Sequence, residues 1–396
     1  MAHRARRPVD PRGLSPQVRR LGWVSMLTDL GSEMAYPLFP IFVTSVLGAP
    51  AALLGLIEGI AEATASLTKY PFGQLADRTG KRRPYVLAGY GLGALGKLLV
   101  ALATGWPIAL GGRIVDRLGK GMRTAPRDDL LAAATLPSQQ GRAFGLHRAM
   151  DTMGAVLGPL VGLALVQAEI PIRWIIGLAA LPGFVSVFLI LRLVREHRSE
   201  PQRGALRPRL PASPAFRWLL LGSVVFAVGN SSDMFLLLKA QDAGLSTSAV
   251  LLVYVLYNAV YSASSLPLGR LSDRIGQYPV VLAGYLLFAV IYVGFAISAG
   301  AGVIALFAVY GLYIAATEGT SRALIGRTIA TGERASALGL YSAATGLAAF
   351  AASTVAGVLW SVFAPWVTFA YGASMAFIAA TVMLAGEPMV RRSLAS

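Results

Sequence analysis

Long apolar segments recur along almost the whole chain, and no other feature limits its possible folds as strongly. Only 14% of its 396 residues are charged, whereas soluble domains carry about 25% charged residues. A backbone in lipid must satisfy its own hydrogen bonds, so each apolar segment of about twenty residues is predicted to be a membrane-spanning α-helix. The sequence predicts about twelve such segments. Their approximate limits are 21–47, 50–72, 84–104, 106–125, 141–167, 171–194, 216–240, 247–268, 279–299, 302–325, 336–361 and 366–386.

Basic residues are distributed unequally between the two sets of loops. The chain ends and the loops after even-numbered segments hold about 27 of the 35 Lys and Arg residues, and the other loops hold about two, Arg173 and Lys239. Loops rich in Lys and Arg stay in the cytosol, so both chain ends are predicted to be cytosolic. The net charge of +16 is therefore attributed to membrane orientation and not to nucleic-acid binding.

The longest polar stretch divides the chain into two parts. Residues 195–215 are basic and Pro-rich, which favours a flexible linker. The predicted organisation is a basic cytosolic tail (1–20), an N-terminal six-helix bundle (21–194), a cytosolic linker (195–215), a C-terminal six-helix bundle (216–386) and a cytosolic tail (387–396).

A short motif occurs once in each of these parts. GQLADRTGKRR at 73–83 follows segment 2, and GRLSDRIGQY at 269–278 follows segment 8. The residues after each copy also match, PYVLAGY at 84–90 and PVVLAGY at 279–285. The glycines of the motif predict a tight turn. Its repetition together with its flanks predicts two related halves, as in transporters that are built from structural repeats.

These features resemble the major facilitator superfamily of secondary transporters, and the resemblance covers nearly the whole chain. It implies an all-α polytopic membrane protein of twelve transmembrane helices in two pseudo-symmetric six-helix bundles. The motif after segment 2 is similar to the superfamily signature between helices 2 and 3, which implies that Asp77 helps to hold the cytosolic side closed. The cytosolic gate implied by the resemblance consists of Gly73, Asp77, Arg78, Gly80 and Asp273.

Segment 5 contains a second motif that bears on the type of transport. Gly154, Gly158, Pro159 and Gly162 are similar to the fifth-helix signature of the superfamily's antiporters, although Leu163 stands where that signature has a further Gly. The resemblance therefore implies antiport.

Charged residues cluster within the segments of the first half. Asp29 and Glu33 in segment 1, and Glu58 and Glu62 in segment 2, are spaced i,i+4, so each pair shares one face of its helix. A lone charge deep in a membrane costs at least about 3 kcal/mol, so these groups must meet one another or a water-filled cavity. The predicted central network consists of Asp29, Glu33, Glu58, Glu62, Arg113, Asp116, Arg117, Lys120, His147, Arg148 and Asp151, with Lys97 beside it.

Proton coupling requires a group that can be neutral or charged near pH 7. Repulsion within each acid pair favours retention of a proton, and His147 with Asp151 one turn later forms a pH-sensitive pair. Arg113 matches the arginine of the superfamily's fourth-helix motif, although Asp116 and Arg117 depart from that motif. Arg113 is the preferred contact for an anion or partner for these acids. The sequence leaves open which of these charges work in transport and which only brace the helices.

The second half is poorer in charge. Tyr254, Tyr257, Asn258 and Tyr261 form a hydrogen-bonding stripe on segment 8 that would suit an organic solute or simple packing. The i,i+4 spacing of Glu318 and Arg322 predicts that these two side chains pair with each other. The predicted second-half cavity residues are Asn230, Asp233, Tyr257, Asn258, Glu318 and Arg322.

The predicted function is proton-coupled secondary transport of a small organic solute by alternating access, with export by antiport favoured. Import of an organic anion by symport, and transport of a metal ion or chelate by the acidic residues and His147, are the alternatives. No nucleotide-binding loop, serine elbow or two-histidine metal motif occurs, so an enzyme and a cofactor are not expected. The expected partners are solute, protons and membrane lipid, and the expected form is a monomer in the bacterial cytoplasmic membrane.

Overall fold

A computed structural model describes residues 15–135, 140–196, 213–300, 302–328 and 334–395, and every regular element in this part of the chain is helical. The first half is defined by the helices α1 (Pro16–Ala35), α2 (Phe39–Ile41), α3 (Ala51–Thr79), α4 (Arg83–Ala101), α5 (Trp106–Ala133), α6 (Gln140–Gln167), α7 (Ile172–Leu178) and α8 (Ala180–Leu193). The second half is defined by α9 (Pro214–Gly229), α10 (Met234–Asp242), α11 (Thr247–Ile275), α12 (Gln277–Ile297), α13 (Gly302–Arg327), α14 (Arg334–Val362) and α15 (Pro365–Ala395).

Ten helical stretches in the described residues are long and apolar enough to cross a membrane. α1 and α5 do not meet this measure, because several charged residues lie within them. Both nevertheless pack lengthwise inside the bundle, α1 against α6 and α8, and α5 against α3 and α4. The arrangement is consistent with the twelve predicted spans. The boundary between the two bundles stays a prediction, because most of the predicted linker lies outside the described residues.

Two predicted segments are less regular than the sequence suggested. Segment 1 begins at Pro16, and beyond Ala35 it continues through a 3₁₀ turn, α2 and a π-helical turn that ends at Val46. Segment 7, predicted as one helix, is interrupted between α9 and α10 at residues 230–233. The run Asn-Ser-Ser-Asp explains the interruption, because such side chains compete with the backbone for hydrogen bonds and favour non-helical conformations.

The repeated motif is mostly helical, so the prediction of a tight turn across it was wrong. α3 includes Gly73 and continues to Thr79, and only Gly80 (φ +64°) adopts the left-handed conformation that ends the helix. In the second copy α11 likewise includes Gly269 and ends before Gly276 (φ +97°). The helix of each span therefore continues into the motif, and a single glycine, Gly80 or Gly276, makes the turn that follows the helix.

The described ends of the helices define two faces of the bundle. The Gln17 side chain at the start of α1 donates to the Arg195 carbonyl after α8 at 2.9 Å. In the second half the Tyr278 hydroxyl at the start of α12 donates to the Met383 carbonyl of α15. We call the face that contains these groups the terminal face, and the other the opposite face.

The two halves pack tightly at the opposite face. The Ala52 N–H donates to Ser361 Oγ at 2.9 Å, and Gly55 lies so close to α14 that a Cβ would come within 2.2 Å of the Ser353 carbonyl oxygen. Large apolar side chains from both halves fill the space beside this contact. This sealing layer consists of Phe39, Phe42, Leu54, Ile57, Phe235, Leu238, Ala356 and Trp360.

Arg173 joins two parts of the first half at the opposite face. Its guanidinium donates to the carbonyls of Ala101 at 2.8 Å and Ala103 at 2.6 Å and lies over the Phe42 ring. Hydrogen bonds from charged groups contribute about 1.5–3 kcal/mol, so Arg173→Ala is expected to lower the free energy of unfolding by about 2–3 kcal/mol. The measurement is tryptophan fluorescence during denaturation by SDS. Arg192→Ala, at an exposed arginine, is the control, and an equal loss in both variants would contradict the prediction.

Candidate functional site: a charged cavity between the halves

A cavity of about 760 Å³ lies between the two halves and is lined by both. Phe39 of the sealing layer marks its closed end. Its lining reaches outward to Arg148 and Asp128, whose side chains are 63% and 43% exposed, so the cavity opens toward the terminal face. The predicted site residues that line it are Asp29, Glu33, Glu62, Arg113, Asp116, Arg117, Lys120, His147, Arg148, Asp151, Asp233, Tyr257, Asn258, Glu318 and Arg322.

A buried charge pair with two hydrogen bonds joins α3 and α5. Arg113 donates from Nε and Nη2 to the two carboxylate oxygens of Glu58 at 2.7 and 2.8 Å. Glu58 is only 1% exposed, and the guanidinium lies 4.6 Å from the centre of the Phe39 ring. The guanidinium of Arg113 is thus occupied by Glu58 in this structure, which favours a bracing role over contact with an anion.

A second pair lies one turn along the same helices. Arg117 Nη2 is 3.2 Å from Glu62 Oε1. The i,i+4 spacing of the acids on α3 is thus matched by the i,i+4 spacing of the arginines on α5. We call Glu58, Glu62, Arg113 and Arg117 the charge ladder. Each acid has its own arginine, which offsets the repulsion between the two acids. Retention of a proton by one of them stays a prediction.

Lys97 and Asp116 complete the ionic contacts between α4 and α5. Lys97 Nζ is 3.0 Å from Asp116 Oδ1 and also donates to the Gly93 carbonyl at 3.2 Å. Asp116 is also 3.7 Å from Arg113. This part of the predicted network therefore connects three helices of the first half.

The acids of α1 have a different environment. Glu33 accepts a hydrogen bond from the Tyr254 hydroxyl of α11, a contact that crosses from one half to the other. Asp29 lines the same cavity and experiences the negative charge of Asp151 on α6. Among the described residues neither Asp29 nor Glu33 has a cation within 4.0 Å, whereas both acids of the charge ladder do.

The glycines of the segment 5 motif bring α6 against α1. A Cβ at Gly154 would lie 2.4 Å from the Met26 carbonyl oxygen, and one at Gly158 would lie 2.5 Å from that of Leu30. At Gly162 the corresponding distance to α1 is 3.3 Å. The motif thus sets the position of the helix that carries Asp29 and Glu33, with Pro159 inside α6.

His147 and Asp151 face each other on successive turns of α6. His147 Nδ1 is 3.8 Å from Asp151 Oδ2, which is too long for a direct hydrogen bond. His147 Nε2 and Asp151 Oδ1 are both buried without a hydrogen-bond partner in the described part of the protein. Buried polar groups are usually paired, so this pair has unused capacity to bind a proton, a water molecule or a solute.

In the second half, tyrosines surround an acid at the interruption between α9 and α10. Asp233 accepts hydrogen bonds from the Tyr310 hydroxyl at 2.6 Å and the Tyr257 hydroxyl at 3.2 Å. Asn230 donates to the Tyr313 hydroxyl at 3.2 Å. Sequence reasoning missed Tyr310 and Tyr313, although their i,i+3 spacing on α13 was a usable signal.

A second contact between the halves involves Glu318, whose predicted pairing with Arg322 was wrong. The Tyr261 hydroxyl donates to Glu318 at 2.5 Å, and Arg148 of the first half donates to Tyr261 at 3.2 Å and lies 3.9 Å from Glu318. Asn258 donates to the Tyr254 carbonyl at 2.9 Å. Glu318 thus contacts Tyr261 on α11 and Arg148 on α6, and not Arg322 on its own helix.

The predicted gate is only partly described. Gly73 lies close to α5, and a Cβ there would be 3.3 Å from Ala125. Arg78 is exposed in the last turn of α3. The side chains of Asp77 and Asp273 lie outside the described residues, so gating by this motif stays a prediction.

No three or more His, Asp or Glu side chains in the described residues converge as ligands for a metal ion.

Sequence reasoning also missed Lys69 and Tyr36, which line the cavity from α3 and from the turn after α1. A lysine inside an otherwise apolar segment was the available signal for Lys69.

A bundle of membrane-spanning helices with a charged cavity between two halves is the architecture of a multi-pass membrane transporter. The family model described as Major Facilitator Superfamily matches residues 21–253 and 219–394. The chain therefore belongs to the major facilitator superfamily.

Relatives and solved structures agree with this assignment. An uncharacterized MFS-type transporter of Methanocaldococcus jannaschii is 33% identical over 95% of this chain and 96% of its own. A multidrug resistance protein, MdtH, of Aeromonas hydrophila is 28% identical over 65% of this chain and 66% of its own. A crystal structure of a peptide transporter in complex with sulfate matches with a TM-score of 0.80 at 14% identity, over 97% of this chain and 96% of that one, and shows the same fold.

Proposed function

We propose that this protein is a proton-coupled secondary transporter that exports a small organic solute across the bacterial cytoplasmic membrane by antiport. Both chain ends lie in the cytosol in this proposal, in agreement with the distribution of Lys and Arg. The terminal face is then cytosolic, and the cavity faces the cytosol. Alternating access consists of closing this face and parting the sealing layer.

The observation that carries the proposal is the contrast between two sets of buried acids. Glu58 and Glu62 are held by arginines, which favours a bracing role. Asp29 and Glu33 line the cavity without a cation within 4.0 Å in the described residues. A carboxylate in a partly dry site without a counter-charge binds a proton more readily. We therefore assign proton binding to the two acids of α1.

The hydrogen bond between Tyr254 and Glu33 offers a route from protonation to motion. A hydrogen bond to a charged acceptor is roughly twice as strong as one between neutral groups. Protonation of Glu33 removes its charge and weakens a contact that joins the two halves. Proton binding would thereby change the relative stability of the two arrangements of the halves.

Export of an organic solute is favoured by the similarity to a relative named as a multidrug resistance protein. Import of an organic anion by symport is a second candidate, because several cations line the cavity. Metal transport receives no support from the described side chains.

The test is proton flux in proteoliposomes that contain a pH-sensitive dye. Solute candidates are added outside, and the direction of the pH change distinguishes the two modes. Solute entry by antiport makes the lumen more alkaline, and entry by symport makes it more acidic. Asp29→Asn and Glu33→Gln are each expected to lower solute-dependent proton flux at least tenfold, because neither amide binds a proton in this range. Glu387→Gln, in an exposed pair on α15, is the control.

Two results would contradict this function. One is the absence of solute-dependent proton flux across a panel of organic anions, organic cations and drugs. The other is wild-type pH dependence of flux in both acid variants at equal protein content.

A further inference from the structure

Three cations that line the cavity have neither an ionic partner nor an aromatic ring against their charged group in the described part of the chain. They are Lys69 on α3, Lys120 on α5 and Arg322 on α13. No carboxylate in that part lies within 4.0 Å of any of them. Glu318, the predicted partner of Arg322, is bonded to Tyr261 instead. We call these three residues the cation trio.

The other cations of the first-half lining are already engaged. Arg113 and Arg117 belong to the charge ladder, and Lys97 is bonded to Asp116. Arg127 lies 2.9 Å from its neighbour Asp128, and the Arg123 guanidinium lies over the Tyr90 ring at 4.3 Å. The cation trio is thus the part of the lining whose cations meet neither a carboxylate within 4.0 Å nor a ring in the described residues.

Lys69 also interacts electrostatically with the other two residues of the trio. All three line one cavity, and the charge on Lys69 is repelled by those of Lys120 and Arg322. Glu62 attracts both lysines at longer range, but its carboxylate is bonded to Arg117. Asp29 and Glu33 also attract Lys120 at longer range, but neither lies within 4.0 Å of it in the described residues.

The trio contains residues of both halves at a similar depth. Lys69 and Lys120 belong to the first half and Arg322 to the second. All three lie roughly 20–30 Å from the starts of their helices at the opposite face, at 1.5 Å per residue. An anion among them would therefore touch both halves on the open side of the cavity.

We propose that the cation trio is a binding subsite for the carboxylate or phosphate group of a transported organic anion. This inference rests on the proposed transport function and specifies the chemical class of its solute. Repulsion between unpaired cations in a site of lowered dielectric destabilises the empty cavity. An anion offsets this repulsion, and the guanidinium of Arg322 can bind a carboxylate or phosphate with two hydrogen bonds. The bound anion holds the halves together from inside the cavity.

The test is isothermal titration of purified protein with succinate and with inorganic phosphate. The protein is kept in a neutral detergent without anionic lipid, at constant ionic strength and without a proton gradient. Wild-type protein is expected to bind at least one of the two anions. Lys120→Gln and Arg322→Gln are each expected to weaken binding at least tenfold. Lys81→Gln removes the same charge at an exposed position away from the cavity and is expected to leave affinity unchanged.

A double variant tests whether one anion bridges both halves. If Lys120 and Arg322 hold the same anion, the double variant loses less affinity than the product of the two single losses. Lys120→Arg keeps the charge and is expected to keep binding within threefold. Arg322→Lys keeps the charge but loses the two-hydrogen-bond contact, so it is expected to bind more weakly than wild type and more tightly than Arg322→Gln. Simple additivity of the two losses would overturn the bridge between the halves.

Three results would overturn the subsite itself. They are failure of the wild type to bind either anion, equal binding in the glutamine variants, and occupation of the trio by added phosphatidylglycerol alone. The titration needs no gradient, so it separates this inference from the proposed function. Trio-dependent anion binding without solute-dependent proton flux would refute only proton coupling. Proton flux without trio-dependent binding would refute only the subsite.

Discussion

Replacing Glu58 with Gln is expected to lower the free energy of unfolding by about 3–5 kcal/mol, the range observed when one partner of a buried ion pair is removed. Glu58 is 1% exposed and holds Arg113 through two hydrogen bonds. The amide leaves the guanidinium charged and without its partner, beside an aromatic ring in the sealing layer. The measurement is denaturation by SDS, followed by tryptophan fluorescence.

Two controls distinguish this effect from a general loss of charge. Glu387→Gln breaks a pair whose arginine, Arg391, is 76% exposed, and exposed pairs contribute about 0–1 kcal/mol. In the double variant Glu58→Leu with Arg113→Met, no buried charge is left alone, so most of the stability is expected to return. A loss below about 1 kcal/mol in Glu58→Gln, or an equally unstable double variant, would contradict the assignment of this pair as a brace.

Replacing both Gly154 and Gly158 with Ala is the second change with a large expected effect. Each new Cβ would lie about 2.4–2.5 Å from a carbonyl oxygen of α1, and backbone atoms cannot move aside as a side chain can. Overpacking typically costs about 1–3 kcal/mol per site, so the pair is expected to cost more than about 3 kcal/mol. Displacement of α1 also moves Asp29 and Glu33, so proton flux is expected to fall at least tenfold.

Gly111→Ala is the matched control for this experiment. Gly111 lies within α5, and a Cβ there would meet no atom within 4 Å. Alanine is preferred over glycine inside a helix by about 1 kcal/mol, so this variant is expected to be neutral or slightly stabilised. Wild-type stability and flux in Gly154→Ala/Gly158→Ala would show that α1 and α6 do not rely on this close contact.

The fold was largely predictable because its main determinants are local. Segment length, apolar composition and the distribution of Lys and Arg each follow from the demands of a lipid environment. The interruption at 230–233 was harder to predict, because its flanking residues are as apolar as those of an uninterrupted helix. The extent of α3 was also missed, since the polar motif after segment 2 is helical up to Thr79.

The candidate site was predictable as a set of residues but not as a set of contacts. The cost of buried charge implies that the acids and bases of the first half must meet. Spacing along one helix could not show that Glu62 faces Arg117, or that Glu318 turns toward Arg148 and Tyr261. These pairings depend on how two helices are rotated against each other, which is a property of tertiary packing.

The sealing layer has a consequence for ion leakage. Protons cross proteins along continuous files of water, and the packed aromatic and aliphatic side chains of Phe42, Leu54 and Phe235 offer such a file no hydrogen-bond partners of their own. In the transport cycle proposed above, an idle molecule with the sealing layer intact would therefore not dissipate the electrochemical gradient of the cell. This barrier would last until the sealing layer parts, which would confine any passage of charge to the moments when the two halves rearrange.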